Sequence, residues 1–185
     1  MLGAIIGDLA GTKYEYQEFV DSRRATINKE RRKEILDPKT ELITDESFVS
    51  DDSILTTAIA EAIIYNIDYR ETLKKYGKKY GNEQLQRKNF FKNAFSPVFT
   101  KWANSEENEN GTSYGNGAAM RVSPVAYLFD DLEKIEQEAK KSAIPSHNSQ
   151  EAIKGAQGLA SAIYLARQKT PKEEIKEYIT RKIWV

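Results

Sequence analysis

The sequence contains no cysteine, and this absence excludes three kinds of structure. Without thiols the chain has no disulfide scaffold, no thiolate zinc site and no cysteine nucleophile. Histidine is nearly absent too, because His147 is the only one. A site with several histidine ligands is therefore excluded, and any bound metal must be held mainly by oxygen. The lack of cysteine is compatible with a reducing compartment, and we expect a cytoplasmic protein.

Net charge and long apolar runs are missing as well. Lys and Arg together number 28, and so do Asp and Glu, so the formal net charge is zero. No overall field attracts nucleic acid or an anionic membrane, and we expect neither as a partner. The apolar segment 2–10 is too short to span a bilayer and lacks the positive flank of a signal peptide. The length fits one domain, which we predict to cover residues 1–185.

Two adjacent carboxylates open the most conspicuous predicted helix. Asp51 and Asp52 follow Ser50, and apolar residues then recur with helical spacing as far as Ile63. These three polar residues could simply cap the helix and complement its dipole, a contribution of about 1–2 kcal/mol. Alternatively, their oxygens form half of a site for a hard divalent cation such as Mg²⁺ or Mn²⁺.

Three glycines recur at every fourth position near the N-terminus. Gly3, Gly7 and Gly11 would line one side of a helix and let another backbone approach closely. Because each costs about 1 kcal/mol in helix propensity, we predict a tightly packed central helix that the chain leaves after Gly11. Asp8 within it either faces solvent or needs a partner, because an unpaired buried carboxylate is costly.

Two further stretches are polar or rich in glycine. Segment 17–45 mixes basic and acidic residues, which favours a solvated helix or a mobile flap over a basic strip for nucleic acid. Segment 111–117 contains three glycines, so its backbone could approach a ligand and its N–H groups could face a phosphate. Since it matches neither the P-loop nor the dinucleotide fingerprint, a plain loop is the alternative.

The remaining elements are predicted to be helical. Apolar periodicity indicates helices over 71–80, 131–143 and 150–168. Thr170 and Pro171 have the pattern of a capping box that opens a last helix, with proline at its first position. No segment alternates with a period of two, so we predict an all-α fold.

Four segments, taken together, resemble the ADP-ribosylglycohydrolase family, the all-α hydrolases that include the dinitrogenase-reductase-activating glycohydrolase. They lie in order at 3–11, 50–53, 113–121 and 146–157. Each match is modest alone, whereas four in the same order are specific. The resemblance implies a single orthogonal helical domain and a metal-dependent hydrolase that removes ADP-ribose from a modified protein side chain or a small acceptor.

The resemblance also implies roles for individual residues. It makes Ser50, Asp51 and Asp52 ligands of a binuclear Mg²⁺ or Mn²⁺ centre, and the two aspartates catalytic. Glu15 matches a glutamate that some members place on a mobile flap beside the scissile bond. Such ions would orient a ribose through its vicinal hydroxyls and activate water, which a carboxylate such as Glu15 could deprotonate or position.

The ADP-ribose contacts are implied in the same way. His147 matches the first histidine of a Thr-His-Asn-His pattern, whose second histidine is replaced here by Ser149. Tyr114 is a candidate for stacking on adenine. The residues implied to bind the substrate are Ser113, Tyr114, Gly115, Asn116, Gly117, Met120 and His147.

One part of the family pattern is missing. The resemblance predicts a further helix with an Asp-x-Asp-Thr/Ser motif, and no such motif occurs in the chain. The chain ends Lys182-Ile183-Trp184-Val185 where relatives continue with a sequence like Lys-Phe-Gly-Tyr. One inserted base in an A-rich codon run would relate the two endings. We therefore hypothesise a truncated or frameshifted reading frame, which sequencing of the source locus would test.

This departure sets the expectations for activity. With about half of the carboxylate ligands, we expect weak or partial metal binding and impaired turnover. Missing helices would also uncover apolar surface and favour a homo-oligomer. The alternatives are a catalytically degenerate module that still binds ADP-ribose, and a structural helical protein whose acidic pair is only a cap.

Overall fold

The computed structural model describes residues 2–19, 37, 39–45, 47–81, 84–87, 90–93 and 95–183, with only the backbone described in 13–19, 84–87 and 90–93. The predicted flap therefore lies largely outside the described residues. The chain forms two compact units, Leu2–Ser50 and Asp51–Val185. The prediction of one domain over 1–185 stays a prediction.

The unit Leu2–Ser50 contains helix α1, Leu2–Phe19. The predicted departure from the helix after Gly11 is wrong, because neither proline nor glycine interrupts 12–19 and the Thr12 hydroxyl is satisfied by donating to the Leu9 carbonyl at 3.2 Å. Tight packing on the glycines is not observed among the described residues. The glycines at positions 3, 7 and 11 are exposed there, and a Cβ at any of them would meet no described atom within 4 Å.

The unit Asp51–Val185 is built almost entirely of helices, and the all-α prediction is confirmed. Among its described residues, one antiparallel hairpin is the exception, with Gln84 opposite Asn93 and Arg87 opposite Phe90. The elements are α2 (Asp51–Tyr65), α3 (Tyr69–Tyr80), β1 (Gln84–Arg87), β2 (Phe90–Asn93), α4 (Pro97–Asn104), α5 (Gly117–Met120), α6 (Ser123–Leu128), α7 (Leu132–Ala143), α8 (Gln150–Arg167), α9 (Lys172–Tyr178) and a π-helical turn (Ile179–Ile183).

Polar caps set several helix boundaries close to the predicted positions. The Asp131 carboxylate accepts a backbone N–H at the start of α7, and the Ser149 hydroxyl does so at the start of α8. The predicted capping box before α9 is wrong. Pro171 is itself the N-cap there, without a side-chain cap. Thr170 instead completes the end of α8, because its N–H donates to the Leu165 carbonyl at 3.0 Å.

Helix α2 is largely buried in this unit. Leu55, Ala58 and Ile59 are at most 2 % exposed, and α2 packs against α3, α5 and α6. The acidic first turn is therefore anchored by a buried helix. Other large members of the core are Leu73, Phe95, Phe99, Val122, Val125, Ile135 and Ile153. Among the described helices, none is long and apolar enough to cross a membrane.

Some large apolar side chains remain on the surface of this unit. Ile64 and Tyr65 at the end of α2 are 59 % and 71 % exposed, and Leu128 and Leu159 are each 41 % exposed. Scattered exposed apolar residues are common in soluble proteins, so self-association through them stays a prediction.

Helix α3 packs closely on α4 at Gly77. A Cβ at this position would lie 2.4 Å from the Cβ of Ala103 and 3.3 Å from the ring of Phe99. We expect Gly77→Ala to lower the free energy of unfolding by about 1–3 kcal/mol, measured by urea denaturation.

Gly155→Ala in α8 is the matched control, because its Cβ would meet only the Ala119 Cβ at 4.0 Å. Because alanine favours a helix more than glycine does, this substitution should leave the free energy of unfolding unchanged or raise it by up to about 1 kcal/mol. Equal effects of the two substitutions would contradict the close packing at Gly77.

Candidate functional site

The glycine-rich loop is tied to the turn between α7 and α8. The Gly111 N–H donates to the Pro145 carbonyl at 2.9 Å, and the Asn148 N–H donates to the Gly111 carbonyl at 3.0 Å. Between these bonds, Thr112 and His147 form an antiparallel bridge. The loop is thus fixed to the segment that carries the only histidine.

Two glycines permit this close approach. A Cβ on Gly111 would fall 2.4 Å from the Ser146 carbonyl oxygen, so only glycine fits against that backbone. A Cβ on Gly117 would fall 2.7 Å from Nε2 and 2.8 Å from Cε1 of His147. The imidazole therefore lies directly against the backbone at the start of α5.

A cleft of about 240 Å³ opens beside this contact. Its polar lining combines Asp51, from the first turn of α2, with residues of the loop and His147. Its apolar lining comes mainly from α2, from α4 and from Phe95 before α4. The lining residues are Asp51, Leu55, Phe95, Ser96, Val98, Phe99, Ser113, Gly115, Asn116, Gly117, Met120 and His147.

Most of the residues singled out in the loop meet in this cleft, together with one of the two aspartates. Asp52 is half-buried in the first turn of α2 and is not among the lining residues. Tyr114 does not line the cleft either, and its side chain is 80 % exposed. The side chain of Glu15 lies outside the described residues.

Ser50 belongs to the other unit, where it has a defined partner. Its N–H donates to Oδ2 of Asp8 at 3.0 Å, and its hydroxyl donates to Oδ1 at 2.6 Å. The carboxylate of Asp8 is therefore paired, which is one of the two alternatives that the sequence left open. Ser50 is only 5 % exposed, so both hydrogen bonds are shielded from water.

The donor chemistry of Ser50, Asp51 and Asp52 fits a hard divalent cation, because one hydroxyl and two carboxylates are hard oxygen ligands. Three residues supply only part of a shell of about six oxygens. Within the described part of the chain, no group of three Asp, Glu or His side chains could hold a metal by itself.

His147 is held as a neutral imidazole. It is 4 % exposed, and burial, followed by the positive charge of Arg121, lowers its pKa to about 4. Nδ1 lies 2.8 Å from the Ser146 hydroxyl oxygen. At neutral pH the ring can therefore contribute hydrogen bonds to the cleft but no charge.

The sequence analysis missed the two aromatic residues that line the cleft, Phe95 and Phe99. The Phe95 and Phe99 rings lie 5.0 Å apart, and Trp102 lies 5.4 Å from Phe99. These aromatics recur with helical spacing around Ser96, which caps α4, and Pro97, its first residue. That combination of a helix start and an aromatic stripe was the available signal.

Comparison with known proteins gives one family. The sequence profile of the family described as ADP-ribosylglycohydrolase matches residues 1–183. ADP-ribosylhydrolase ARH3 of Homo sapiens is 27 % identical over 187 residues, covering 91 % of this chain and 49 % of the relative. The Mus musculus protein of the same name is 26 % identical over 187 residues, covering 94 % of this chain and 50 % of the relative. The chain thus spans about half the length of these curated relatives.

The contact between Gly117 and His147 gives a direct test of the site geometry. In Gly117→Ala the new methyl group would overlap the imidazole, so the ring must move. We expect altered ring signals of the sole histidine in NMR spectra and a loss of about 1–3 kcal/mol in stability.

Gly115→Ala is its control, because a Cβ there would meet only the Ser113 hydroxyl at 3.5 Å. It should leave the ring signals of His147 unchanged. Unaltered ring signals in the Gly117 variant would contradict the described packing.

Burial of neutral His147 predicts a pH dependence of stability. The pKa falls from 6.5 to about 4 on folding, so protonation favours the unfolded state. The stabilisation is complete above about pH 6.5 and is lost as the pH falls towards about 4. The free energy of unfolding decreases by at most about 1.4 kcal/mol per pH unit in this range.

Urea denaturation at several pH values between these limits measures the loss. His147→Gln removes the titrating group, and its stability should fall less over the same range. The same loss in both proteins would assign it to carboxylates rather than to His147.

Proposed function

Because the chain belongs to the ADP-ribosylglycohydrolase family, we propose that it binds ADP-ribose in the described cleft and hydrolyses the bond between ADP-ribose and an acceptor. The acceptor would be a modified protein side chain or a small molecule. The observation that carries the proposal is that Asp51, the glycine-rich loop and His147 line one cleft. The human and mouse relatives are named ADP-ribosylhydrolases, which supports the same reaction class.

The polar and apolar residues that line the cleft suit a ligand with both polar and apolar groups, such as ADP-ribose. The backbone of Gly115 and Gly117 can approach phosphate oxygens closely, and Ser113 and Asn116 add side-chain hydrogen-bonding groups. The apolar lining residues, Phe95 among them, add the predominantly apolar surface that is typical of small-molecule sites. The exposed ring of Tyr114 is proposed to stack on the adenine.

Catalysis would depend on the acidic residues. Ser50, Asp51 and Asp52 would hold Mg²⁺ or Mn²⁺, which when bound supplies Lewis-acid chemistry at the ribose hydroxyls. Glu15 is proposed as the carboxylate that deprotonates or positions the attacking water. His147, neutral and buried, would donate or accept a hydrogen bond at the substrate without adding charge.

A second candidate function is ADP-ribose binding without turnover. It is favoured by one observation, that the described residues contain no cluster of three potential acidic or histidine metal ligands. In that case metal affinity would be weak, since it depends strongly on the number of charged ligands. An ADP-ribosylated protein would be the partner in both cases, and a cytoplasmic location remains part of the proposal.

Three substitutions test the two functions, and one of them, Asp51→Ala, separates them. Tyr114→Ala and Asn116→Asp should each abolish ADP-ribose binding, measured by calorimetry, whichever function holds. Asp51→Ala should instead weaken Mn²⁺ binding and remove any release of ADP-ribose from a modified peptide. Asp130→Ala, at an exposed position outside the cleft, is the control and should change none of these quantities.

Each outcome has a distinct meaning. Release of ADP-ribose by the unmodified chain, lost in Asp51→Ala, would support the hydrolase. Binding without release, insensitive to Asp51→Ala, would support the binding module. Absence of ADP-ribose binding by the unmodified chain would contradict both functions.

A further inference from the structure

Arg121 is an unusual residue for the interior of this unit. It follows α5, its side chain is completely buried, and burial lowers the pKa of its guanidinium. Nη2 donates to the Ser142 carbonyl at 2.8 Å and to the Ser146 hydroxyl oxygen at 2.9 Å. Among the described residues, Nε and Nη1 have no hydrogen-bond partner. A buried and incompletely paired charge is costly, so stability alone does not explain this arginine.

The bond from Arg121 fixes the role of the Ser146 hydroxyl. A guanidinium has only donors, so Ser146 Oγ accepts the bond from Nη2. Its own proton then has one acceptor among the described residues, Nδ1 of His147 at 2.8 Å. If Nδ1 carried a proton and donated to Ser146 instead, the buried hydroxyl proton would have no acceptor there, at a cost of about 1–3 kcal/mol.

The bond to Nδ1 determines the tautomer of His147. A neutral imidazole has one protonated nitrogen, so an accepting Nδ1 places the proton on Nε2. Nε2 lies beside the backbone of Gly117, which lines the cleft together with His147. Within the described part of the chain, Nε2 has no hydrogen-bond partner of its own.

We propose that Arg121 is a positioning residue that acts through Ser146 to fix His147 as the Nε2–H tautomer, so that the cleft presents a hydrogen-bond donor to an oxygen of its ligand. The identity of that oxygen, in the phosphate or ribose groups of ADP-ribose, rests on the proposed function. The tautomer itself is a property of the free protein. This relay of hydrogen bonds, from Arg121 through Ser146 to His147, also explains the burial of Arg121. A solvated arginine would not constrain the hydroxyl of Ser146.

NMR tests the relay directly, because one histidine gives one pair of ring nitrogens. Long-range proton–nitrogen spectra of the free protein at neutral pH distinguish a protonated from an accepting ring nitrogen. We expect a pure Nε2–H pattern in the unmodified chain. In Arg121→Met and in Ser146→Ala, the two nitrogen shifts should move towards each other as the second tautomer becomes populated.

Arg121→Met keeps a side chain of similar length, and apolar replacements of buried charges are often tolerated. Ser146→Ala provides the same test with a smaller change. Arg167→Met is the matched control, because Arg167 also donates to a backbone carbonyl, that of Ala126, without contacting His147. It should leave the nitrogen shifts unchanged.

ADP-ribose affinity supplies the second measurement. Loss of one oriented donor should weaken binding by about tenfold in Arg121→Met and in Ser146→Ala, and not in Arg167→Met. A protonated Nδ1 in the unmodified chain would overturn the proposal, as would a pure Nε2–H pattern that survives in both test variants. A chain that binds no ADP-ribose, yet shows the single tautomer and loses it in both variants, would support the relay and contradict the proposed function.

Discussion

The ladder of backbone hydrogen bonds between 111–112 and 145–148 is the constraint on which the candidate site depends. The loop that follows it contains glycines and polar residues, and it has no regular structure until the short helix α5 begins. Each backbone bond contributes only about 0.5–1.5 kcal/mol, but together they fix where the loop starts. Because Gly117 lies against His147, the loop is also fixed where it ends. A ligand would therefore meet a surface that is largely formed before it binds.

The buried helix α2 supplies the second fixed component. Its apolar residues are covered by three other helices, so the first turn is held in place while Asp51 faces the cleft. Capping alone would be satisfied by any carboxylate at this helix end, with no requirement that it line a cavity. The position of Asp51 in the cleft therefore favours a role in ligand or metal binding. Asp52 is not among the lining residues, so capping of the helix explains its position as well as a role in ligand or metal binding does.

The sequence was informative where a pattern is local. Periodic apolar residues with a capping side chain predicted α2, α7 and α8 within one or two residues, because cap and helix are encoded by neighbours. Prediction from the sequence failed where contacts between distant parts of the chain determine the structure. The position of Phe95 in the cleft lining depends on packing across the unit, and the exposure of the α1 glycines depends on contacts that the local sequence does not encode. Arg121 stood in a recognised motif, but its link to His147 passes through Ser146 and is visible only in three dimensions.

The proposed binding and the proposed catalysis draw on different parts of the chain. Every described residue that lines the cleft belongs to Asp51–Val185, so the proposed recognition of ADP-ribose draws on that unit. Two residues proposed for catalysis, Glu15 and Ser50, belong to Leu2–Ser50. The proposed hydrolysis would therefore draw on residues of both units, whereas the proposed binding would draw on residues of one. The hydrogen bonds described for the glycine-rich loop and for His147 join residues of Asp51–Val185, so we expect the proposed affinity for ADP-ribose to persist under conditions that remove the proposed turnover.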